Sequence, residues 1–372
     1  MPVSRDIVVV GAGIVGCAIA YEMARRGASV EVVDMRAAGM GATQAAAGIL
    51  APFIEAGEDS PLLDFAVRSL DLFDRLLPDV ARDSGQPILY RRTGTLEVAA
   101  DDRRMSRFAL TARRLEQRGV RATLLDAAGV RGEEPYLSQG VVGGLLVPSQ
   151  GFVSAPQLLS ALAAAARRHG AQLVERGRVR RVRADGPGLV VETERGSLSG
   201  DRVVIAAGSW SGGIEVDGAE QPAPVRPVRG QLLHLEWVGA PLKRVTWSER
   251  CYLVPWDNGT LLVGATSEDA GFDERATAAG VHDLLQAACE IVPHGWTAGF
   301  AGARVGLRPA SGDELPIIGP SRALPNLLYA TGHYRSGILL APLTAQLVAD
   351  LVLENRADPL LAQTAPERFG LL

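Results

Sequence analysis

Three glycines near the start of the chain have the spacing of a phosphate-binding turn. Gly11, Gly13 and Gly16 form the pattern G-x-G-x-x-G. In such a turn the first glycine lets the chain close tightly, the second lets the backbone approach a pyrophosphate, and the third lets a helix pack closely on a strand. Asp34 follows eighteen residues after Gly16, where a carboxylate can accept hydrogen bonds from ribose hydroxyls. These residues predict a dinucleotide site, and an acid at this position disfavours a 2′-phosphate.

The segments around these residues are the ones that such a site needs. The β-branched run at residues 7–10 predicts a parallel strand that is covered on both faces. We predict a helix over 14–26, closed by Gly27, whose positive N-terminal end points at the phosphates. A second strand is predicted over 29–33, directly before the acid. Because strand, turn, helix, strand and acid fall in order, a plain tight turn is the weaker interpretation.

The fingerprint does not distinguish NAD from FAD, so other segments must. Residues 39–52, GMGATQAAAGILAP, are nearly all small, which suits either a backbone lying against a large flat ligand or a flexible loop. Residues 202–212, RVVIAAGSWSG, predict another buried strand that ends in small residues, after short strands over 178–184 and 189–193. The dinucleotide domain is therefore expected to resume in mid-chain.

The remaining segments indicate an α/β protein with a second lobe. Ser60 and Pro61 predict the start of a helix, a second helix is predicted over 101–117, and Ser154 with Pro156 predicts a third that leads into a strand at 172–175. Residues 224–264 read as long strands joined by turns, which predicts a mostly antiparallel sheet. Residues 337–353 approach membrane-spanning length, but proline, glutamine and aspartate interrupt them, so we expect a buried helix.

Composition excludes several classes of function. The net charge of −4 over 372 residues, with no polybasic cluster, argues against nucleic acid or an anionic membrane as a partner. The cysteines, Cys17, Cys251 and Cys289, lie far apart and have no histidine at metal-ligand spacing, so we expect neither a zinc site nor disulfides. The N-terminus has no pattern of a cleavable signal. We therefore expect a cytoplasmic protein without a bound metal.

Taken together, five motifs resemble those of the D-amino-acid-oxidase-type FAD enzymes. They are the N-terminal fingerprint, the small-residue loop, VVIAAGSWSG, GLRPASGDELPIIGP and GHYRSGILLAPLTA. Within that group the chain is most similar to the glycine oxidases of thiamine biosynthesis, over residues 7–353. The resemblance implies noncovalent FAD, a Rossmann-like FAD domain interleaved with a mostly antiparallel substrate domain, and oxidative deamination of small amines. The flavin removes the hydride, so no catalytic acid–base triad is implied.

The resemblance also implies which residues bind each group. Arg308, Arg335 and Tyr252 are expected to hold the substrate carboxylate, because the planar guanidinium makes paired hydrogen bonds with it. Alternatives remain: a salt bridge from Arg308 to Asp313 or Glu314, a solvent-facing Arg335, and a core position for Tyr252. The residues expected to contact FAD are Gly11, Gly13, Ile14, Val15, Gly16, Asp34, Met35, Ala42, Thr43, Ala47, Gly48, Ile49, Val179, Gly208, His333, Tyr334, Arg335, Ser336, Gly337, Ile338 and Leu339.

Other substrates and other roles stay open from the sequence. Ser267 stands where the resembled glycine oxidases often have a bulky apolar residue, so glycine, sarcosine and small D-amino acids are all candidates. A dehydrogenase that passes electrons to a quinone is a further alternative. A flavin- or NAD-binding subunit without turnover would be expected to lack the two arginines, and both are present.

The domain boundaries and partners are expectations of the same kind. The FAD domain is expected to comprise residues 1–85, 150–222 and 310–372, and the substrate domain residues 86–149 and 223–309. The expected partners are a small amino acid and molecular oxygen. The resemblance further implies a homotetramer and an imine product that serves thiazole formation, with glyoxylate, ammonia and hydrogen peroxide as the end products.

Overall fold

The computed structural model of the protein describes residues 5–55, 60–175 and 177–372. Eight helices lie in these ranges: α1 (Ile14–Arg25), α2 (Pro52–Glu55), α3 (Leu63–Ser84), α4 (Asp102–Gln117), α5 (Ala127–Glu133), α6 (Ala155–Arg168), α7 (Ala278–Ile291) and α8 (Gly337–Glu354). The strands of the described residues are β1 (Arg5–Val10), β2 (Val30–Asp34), β3 (Ile49–Leu50), β4 (Tyr90–Arg91), β5 (Thr95–Ala99), β6 (Thr123–Asp126), β7 (Gly143–Val147), β8 (Gly151–Val153), β9 (Gln172–Glu175), β10 (Val179–Asp185), β11 (Gly188–Thr193), β12 (Gly196–Ile205), β13 (Glu215–Val216), β14 (Val225–Glu236), β15 (Val245–Trp247), β16 (Tyr252–Pro255), β17 (Thr260–Gly264), β18 (Gly299–Ser311), β19 (Ile317–Pro320) and β20 (Leu327–Thr331).

The first sheet has a parallel centre in the order β9–β2–β1–β12–β20. The antiparallel strands β10 and β11 extend it beside the N-terminal half of β12, with β13 beyond them, and β19 pairs with β20. Side chains of β1 alternate between two cores: Ile7 and Val9 pack on helices α1, α3, α6 and α8, whereas Val8 and Val10 pack on the other face. This burial on both faces is what the β-branched run predicts.

The second sheet is mostly antiparallel, in the order β18–β14–β17–β16–β15–β5–β7–β6. Only the β15–β5 pair of this sheet is parallel among the described strands. Strands of the first sheet come from the three ranges expected for the cofactor domain, and strands of the second come from the two insertions, although β18 continues past residue 309 to Ser311. The mixed α/β fold with an antiparallel second lobe is confirmed, and the domain boundaries themselves stay a prediction.

Helix α8 is the apolar segment near the C-terminal end. It is the one helix of the described residues that is long and apolar enough to cross a membrane by length and composition, and 72% of it is buried inside the protein. Its neighbours are α1 and α3, and Leu339, Leu340 and Leu343 lie in their shared core. The prediction of a buried helix is therefore confirmed.

Two sequence predictions of local structure were wrong or incomplete. Helix α3, predicted to start at Ser60 and Pro61, begins at Leu63, because Ser60 accepts the Leu62 N–H in a separate turn before the helix. Helices α2, α5 and α7 were not predicted. The short α5 has too few turns for a clear apolar period, and α7 mixes alanines with exposed polar residues.

Helix α1 rests directly on the turn that precedes it. A Cβ at residue 16 would lie 1.9 Å from the carbonyl oxygen of Gly11, so only glycine allows this contact. Gly11 itself has φ of +108°, a conformation that side chains rarely adopt, and its bare Cα faces the backbone of Ala206. The turn, the helix and the end of β12 are thus fixed against one another by backbone contacts.

We expect Gly16→Ala to lower stability by about 1–3 kcal/mol, since the methyl group forces α1 away from the turn. Gly132→Ala in α5 is the control, because a Cβ there would meet nothing within 4 Å. That control should keep the wild-type stability or gain up to about 1 kcal/mol. Urea unfolding at neutral pH measures both. A Gly16→Ala protein with the wild-type free energy of unfolding would contradict the close contact.

Candidate functional site: a dinucleotide cleft with two arginines

A large cleft opens at the carboxyl ends of the parallel strands. It encloses about 2100 Å³, including solvent at its mouth. Val10, Asp34 and Thr331 line it from the ends of β1, β2 and β20, and Ala206 lines it directly after β12. Ligands of open α/β sheets bind at this edge. The cleft therefore lies where the glycine fingerprint predicts a dinucleotide.

The N-terminal end of α1 faces this cleft. Its first turn contains no acidic residue, so the positive end of the helix remains available to phosphate. The N–H of Ile14 donates to Thr43 Oγ1 at 3.1 Å, which ties the small-residue loop to the helix start. Gly13 lines the cleft at this point. A Cβ added to Gly13 would lie 3.6 Å from its nearest neighbour, Thr43 Oγ1.

Asp34 organises the turn as well as lining the cleft. Its Oδ2 accepts the N–H of Ala12 at 2.7 Å, and its Oδ1 accepts the N–H of Arg36 at 2.9 Å. Each carboxylate oxygen has a second lone pair. The side chain can therefore hold the glycine turn in place and still accept a ribose hydroxyl, the role predicted for it.

The small residues of the loop over 39–50 are required by the protein itself. A Cβ at Gly48, which has φ of +74°, would lie 1.7 Å from the carbonyl oxygen of Val153 in β8. On the other side of the loop, a Cβ added to Gly306 of β18 would lie 3.0 Å from the Cβ of Ala45. The loop is thus packed between two strands, which excludes the alternative of a flexible loop.

The segment before α8 brings the C-terminal part of the chain into the same cleft. Tyr334 has φ of +48°, and its N–H donates to the Pro309 carbonyl at 2.9 Å. His333 is buried, and its Nε2 lies 3.0 Å from Thr344 Oγ1 in α8. Burial lowers the pKa of His333 to about 3, so the ring stays neutral at physiological pH.

The side chain of Arg308 packs over a glycine of the second sheet, which leaves room for the guanidinium group. It lies on β18 opposite Val228 of β14, and a Cβ at Gly230, two residues along, would lie 2.3 Å from its Nη1. Its Nη1 donates to the Thr266 carbonyl at 2.9 Å. The salt bridge considered as an alternative does not form, because Asp313 pairs with Arg368 at 2.7 Å. Within the described residues, no carboxylate lies at ion-pair distance from Arg308.

Tyr252 lies beside Arg308 in the cleft. It pairs with Gly264 across β16 and β17, where a Cβ on the glycine would lie 2.3 Å from the phenol oxygen. Burial raises the pKa of Tyr252, to which the charge of Glu55 also contributes, while Arg308 acts in the opposite direction. The phenol therefore stays protonated and can donate a hydrogen bond to an anion.

Arg335 lies on the exposed side of the same cleft. Its guanidinium stacks on the ring of Tyr334 at 5.0 Å, and its Nη2 donates to the hydroxyl of that ring at 3.2 Å. No acidic partner within ion-pair distance is found for it in the described ranges. A solvent-facing Arg335 was an alternative, and this side chain is indeed exposed, but it lines the cleft together with Arg308 and Tyr252.

All but three of the residues expected to bind the cofactor or substrate line this cleft. The exceptions are Gly16, which lies beneath the turn, Ser336, which is buried at the start of α8, and Leu339, which lies in the helical core. These three residues pack inside the protein and do not line the cleft. The residues that line the cleft without having been expected there include Arg36, Glu55, Ala206, Trp210, Gly230 and Thr266.

A loop of the second lobe closes over the β2 side of the cleft. Arg36 stacks on Trp210 at 4.7 Å and pairs with Glu274 at 2.8 Å. Phe272 of the same loop contacts Trp210, with 5.7 Å between the ring centroids. Sequence patterns contain no signal for these contacts, because the partners come from loops far apart in the chain.

Comparison with known proteins identifies the family of this chain. The family model described as "DAO: FAD dependent oxidoreductase" matches residues 6–351. This chain belongs to the DAO family of FAD-dependent oxidoreductases. FAD is thus its cofactor, in agreement with the cleft and the glycine turn. Among the described residues, no group of three or more His, Cys, Asp or Glu side chains could hold a metal ion.

Similar members of the DAO family include glycine oxidases. The glycine oxidase of Geobacillus kaustophilus strain HTA426 is 35% identical, with 93% of this chain and 92% of that protein covered. A crystal structure of glycine oxidase from Geobacillus kaustophilus superposes with a TM-score of 0.93 at 34% identity, covering 98% of this chain and 99% of that one. The iminodiacetate oxidase of Chelativorans sp. BNC1 has a TM-score of 0.87 at 28% identity, covering 97% of this chain and 98% of that one.

A longer relative of the DAO family also matches. The bifunctional protein ThiO/ThiG of Nostoc sp. strain PCC 7120 is 36% identical over 96% of this chain, which spans 54% of that protein. This chain therefore spans about half the length of that relative.

We expect His333 to make the protein less stable in mild acid. Its folded pKa of about 3 lies below the ordinary 6.5, so the unfolded chain binds a proton that the folded chain does not, and stability falls as the pH drops below 6.5. His333→Gln cannot take up that proton and should lose less stability between pH 7.5 and 5. Thermal unfolding of both proteins, with FAD removed from each, measures the difference.

The exposed His282 provides the control for this prediction. His282→Gln should follow the wild-type pH dependence. A His333→Gln protein whose melting temperature falls as steeply as that of the wild type would contradict a buried neutral ring.

Proposed function

We propose that this protein is a glycine oxidase. It would oxidise glycine to the imine of glyoxylate, with oxygen reduced to hydrogen peroxide and water releasing glyoxylate and ammonia. The observation that carries the proposal is a pair of arginines, Arg308 and Arg335, that line the same cleft as the dinucleotide turn and have no carboxylate at ion-pair distance among the described residues. The full-length similarity to glycine oxidases at 35% identity supports the choice of substrate.

The residues of the cleft fit FAD. The end of α1 and the bare turn at Gly11 and Gly13 suit its pyrophosphate, and Asp34 suits a ribose. The segment from His333 to Ile338, together with the packed loop around Gly48, would lie against the rest of the cofactor. When bound, FAD supplies a flavin ring that takes the hydride from the substrate carbon and passes the electrons to oxygen.

The protein's own contribution is to fix the amino acid in one orientation. Arg308 would bind the substrate carboxylate with two parallel hydrogen bonds, since its guanidinium is already held by the Thr266 carbonyl. The protonated hydroxyl of Tyr252 would donate a third, and Arg335 would supply further positive charge from the open side. A carboxylate held in this way leaves the rest of a small amino acid with few possible orientations.

The region around Ser267 favours a wider substrate range as a second candidate. Ser267 is exposed and lines both the main cleft and a neighbouring cavity that continues past Glu268 towards Asp283. Sarcosine and small D-amino acids, whose extra groups need space beside the glycine position, are therefore candidate substrates. Measuring both flavin bleaching and peroxide release with each amine also tests the electron acceptor. Bleaching of the flavin without peroxide release would indicate a dehydrogenase.

The physiological setting is proposed on similar grounds. We propose that the imine is supplied to thiazole formation in thiamine biosynthesis, and the likeness to the ThiO/ThiG protein supports this proposal. A cytoplasmic location agrees with three free and buried cysteines.

A homotetramer is proposed as well, and the exposed rings of Trp296 and Phe300 offer apolar surface for contacts between subunits. Light scattering of the purified protein tests this assembly.

We expect Arg308→Ala to weaken glycine binding by about 1.5–3 kcal/mol, the range for hydrogen bonds to charged groups. This corresponds to a rise in KM of roughly 10- to 150-fold at 298 K. Peroxide release with glycine, sarcosine and D-alanine is measured for the wild type first, and glycine kinetics are then measured for the variant. FAD content should be unchanged, because Arg308 lies on the second sheet.

Arg226→Ala is the matched control, since this arginine is exposed on the neighbouring strand β14 and lies outside the cleft. Its kinetics should equal those of the wild type. A wild-type protein that none of the amines bleaches would overturn the proposed oxidase, whereas an Arg308→Ala enzyme with normal KM for glycine would overturn only the role of Arg308.

A further inference from the structure

Glu55 is a carboxylate on the cleft for which the oxidation described so far has no use. It is the last residue of α2 and lines the cleft with Tyr252, Arg308 and Arg335. Its Oε2 is fully enclosed and has no hydrogen-bond partner in the described part of the chain. An enclosed oxygen without a partner costs free energy, and protein interiors rarely retain one without a reason. This oxygen is therefore a candidate to bind a ligand group that donates hydrogen bonds.

The charged and titratable groups that face Glu55 come from three separate elements. They are Arg335 from the segment before α8, Arg308 from β18 and Tyr252 from β16. Burial raises the pKa of the Glu55 carboxyl to about 8, although both arginines act to lower it. The carboxyl is thus close to the point of ionisation at physiological pH, where a group can both accept and release a proton.

An amino acid matches this arrangement of charges. In water it carries a carboxylate and an ammonium group, and the cleft presents two arginines for the first and one acid for the second. The ammonium form resists oxidation, because its nitrogen has no lone pair to stabilise the positive charge that develops as hydride leaves the neighbouring carbon. A site that oxidises amino acids near neutral pH therefore gains from a group that removes one ammonium proton.

We propose that Glu55 binds the ammonium group of the substrate through Oε2 and accepts one of its protons before the hydride is transferred. This inference rests on the proposed amino-acid oxidation. An N–H bond of the ammonium breaks, its electron pair stays on nitrogen, and an O–H bond forms on Oε2. The substrate becomes a neutral amine and Glu55 a neutral acid. The acid returns the proton to solvent between turnovers.

Anaerobic reduction of the bound flavin by glycine tests the step without depending on the electron acceptor. At pH 7.5 we expect Glu55→Gln to lower the bimolecular rate constant of bleaching by about 10²-fold or more, in the range for general-base catalysis. In the wild type this constant should rise with pH through about 8, the pKa of Glu55. In Glu55→Gln the rise should move to the higher pH at which free glycine loses its proton. Glu55→Asp, which keeps a carboxylate, should retain the lower transition.

Acetate supplies a second readout that needs no turnover, because it has the carboxylate of glycine and no amine. Its binding is followed by the change in the flavin spectrum. Ionised Glu55 should repel acetate, so the wild-type Kd should rise with pH through about 8. That rise should be absent in Glu55→Gln, which should bind acetate as tightly as the wild type does at pH 6.5.

The matched control is Glu249→Gln, a second glutamate on the cleft, whose side chain is 65% exposed and pairs with Arg104 at 2.7 Å. Both of its pH dependences should be those of the wild type. A Glu55→Gln holoenzyme whose acetate Kd still rises near pH 8, or whose bleaching transition stays there, overturns the role of Glu55. A wild type that no amino acid bleaches overturns the proposed oxidase, and the acetate titration then still decides whether Glu55 faces the bound carboxylate.

Discussion

The contact between Gly16 and the Gly11 carbonyl is the constraint on which the rest of the cleft depends. It places the N-terminal end of α1 against the ends of the parallel strands at a separation that only glycine allows. Helix α1 packs on α8 in the same core, so the position of α1 also determines where α8 begins. His333 and Arg335 precede α8 and reach the cleft from there. A backbone contact at one end of the site thus controls side chains that come from the other end of the chain.

On the substrate side of the cleft, glycines leave space for the large side chains of neighbouring strands. Gly230 leaves room for the guanidinium of Arg308, and Gly264 leaves room for the ring of Tyr252. Gly230 lies in the interior of β14 and Gly264 is the last residue of β17, and glycine weakens a strand unless something approaches closely. The second sheet accepts that cost at these two positions and gains a rigid support for two polar groups. Rigid support matters because hydrogen bonds to a substrate lose their value when their donors are free to move.

The sequence predicts the parts of this site that depend on local patterns. The turn, α1, the strand before it and Asp34 follow one another in the chain, so spacing alone places them together. Arg308 is different, because spacing could not distinguish a carboxylate clamp from a salt bridge to Asp313. That distinction depends on Arg368, which lies far away in the sequence and forms the ion pair with Asp313. Glu55 carries no sequence signal at all, since it ends a four-residue helix without periodicity. Its significance arises only from the burial of one oxygen by residues from other elements.

Strand β12 has a consequence for how the protein is made. Its last residues, Val203 to Ile205, pair with β1 on one side and with β20 on the other. The parallel centre of the sheet therefore stays open at one edge until residues 327–331 have been synthesised. Domains fold as units during synthesis, and nonlocal pairing is slow. The nucleotide turn, which is made first, therefore lies beside an incomplete sheet and an incomplete cleft until Thr331, His333 and Tyr334 have been synthesised.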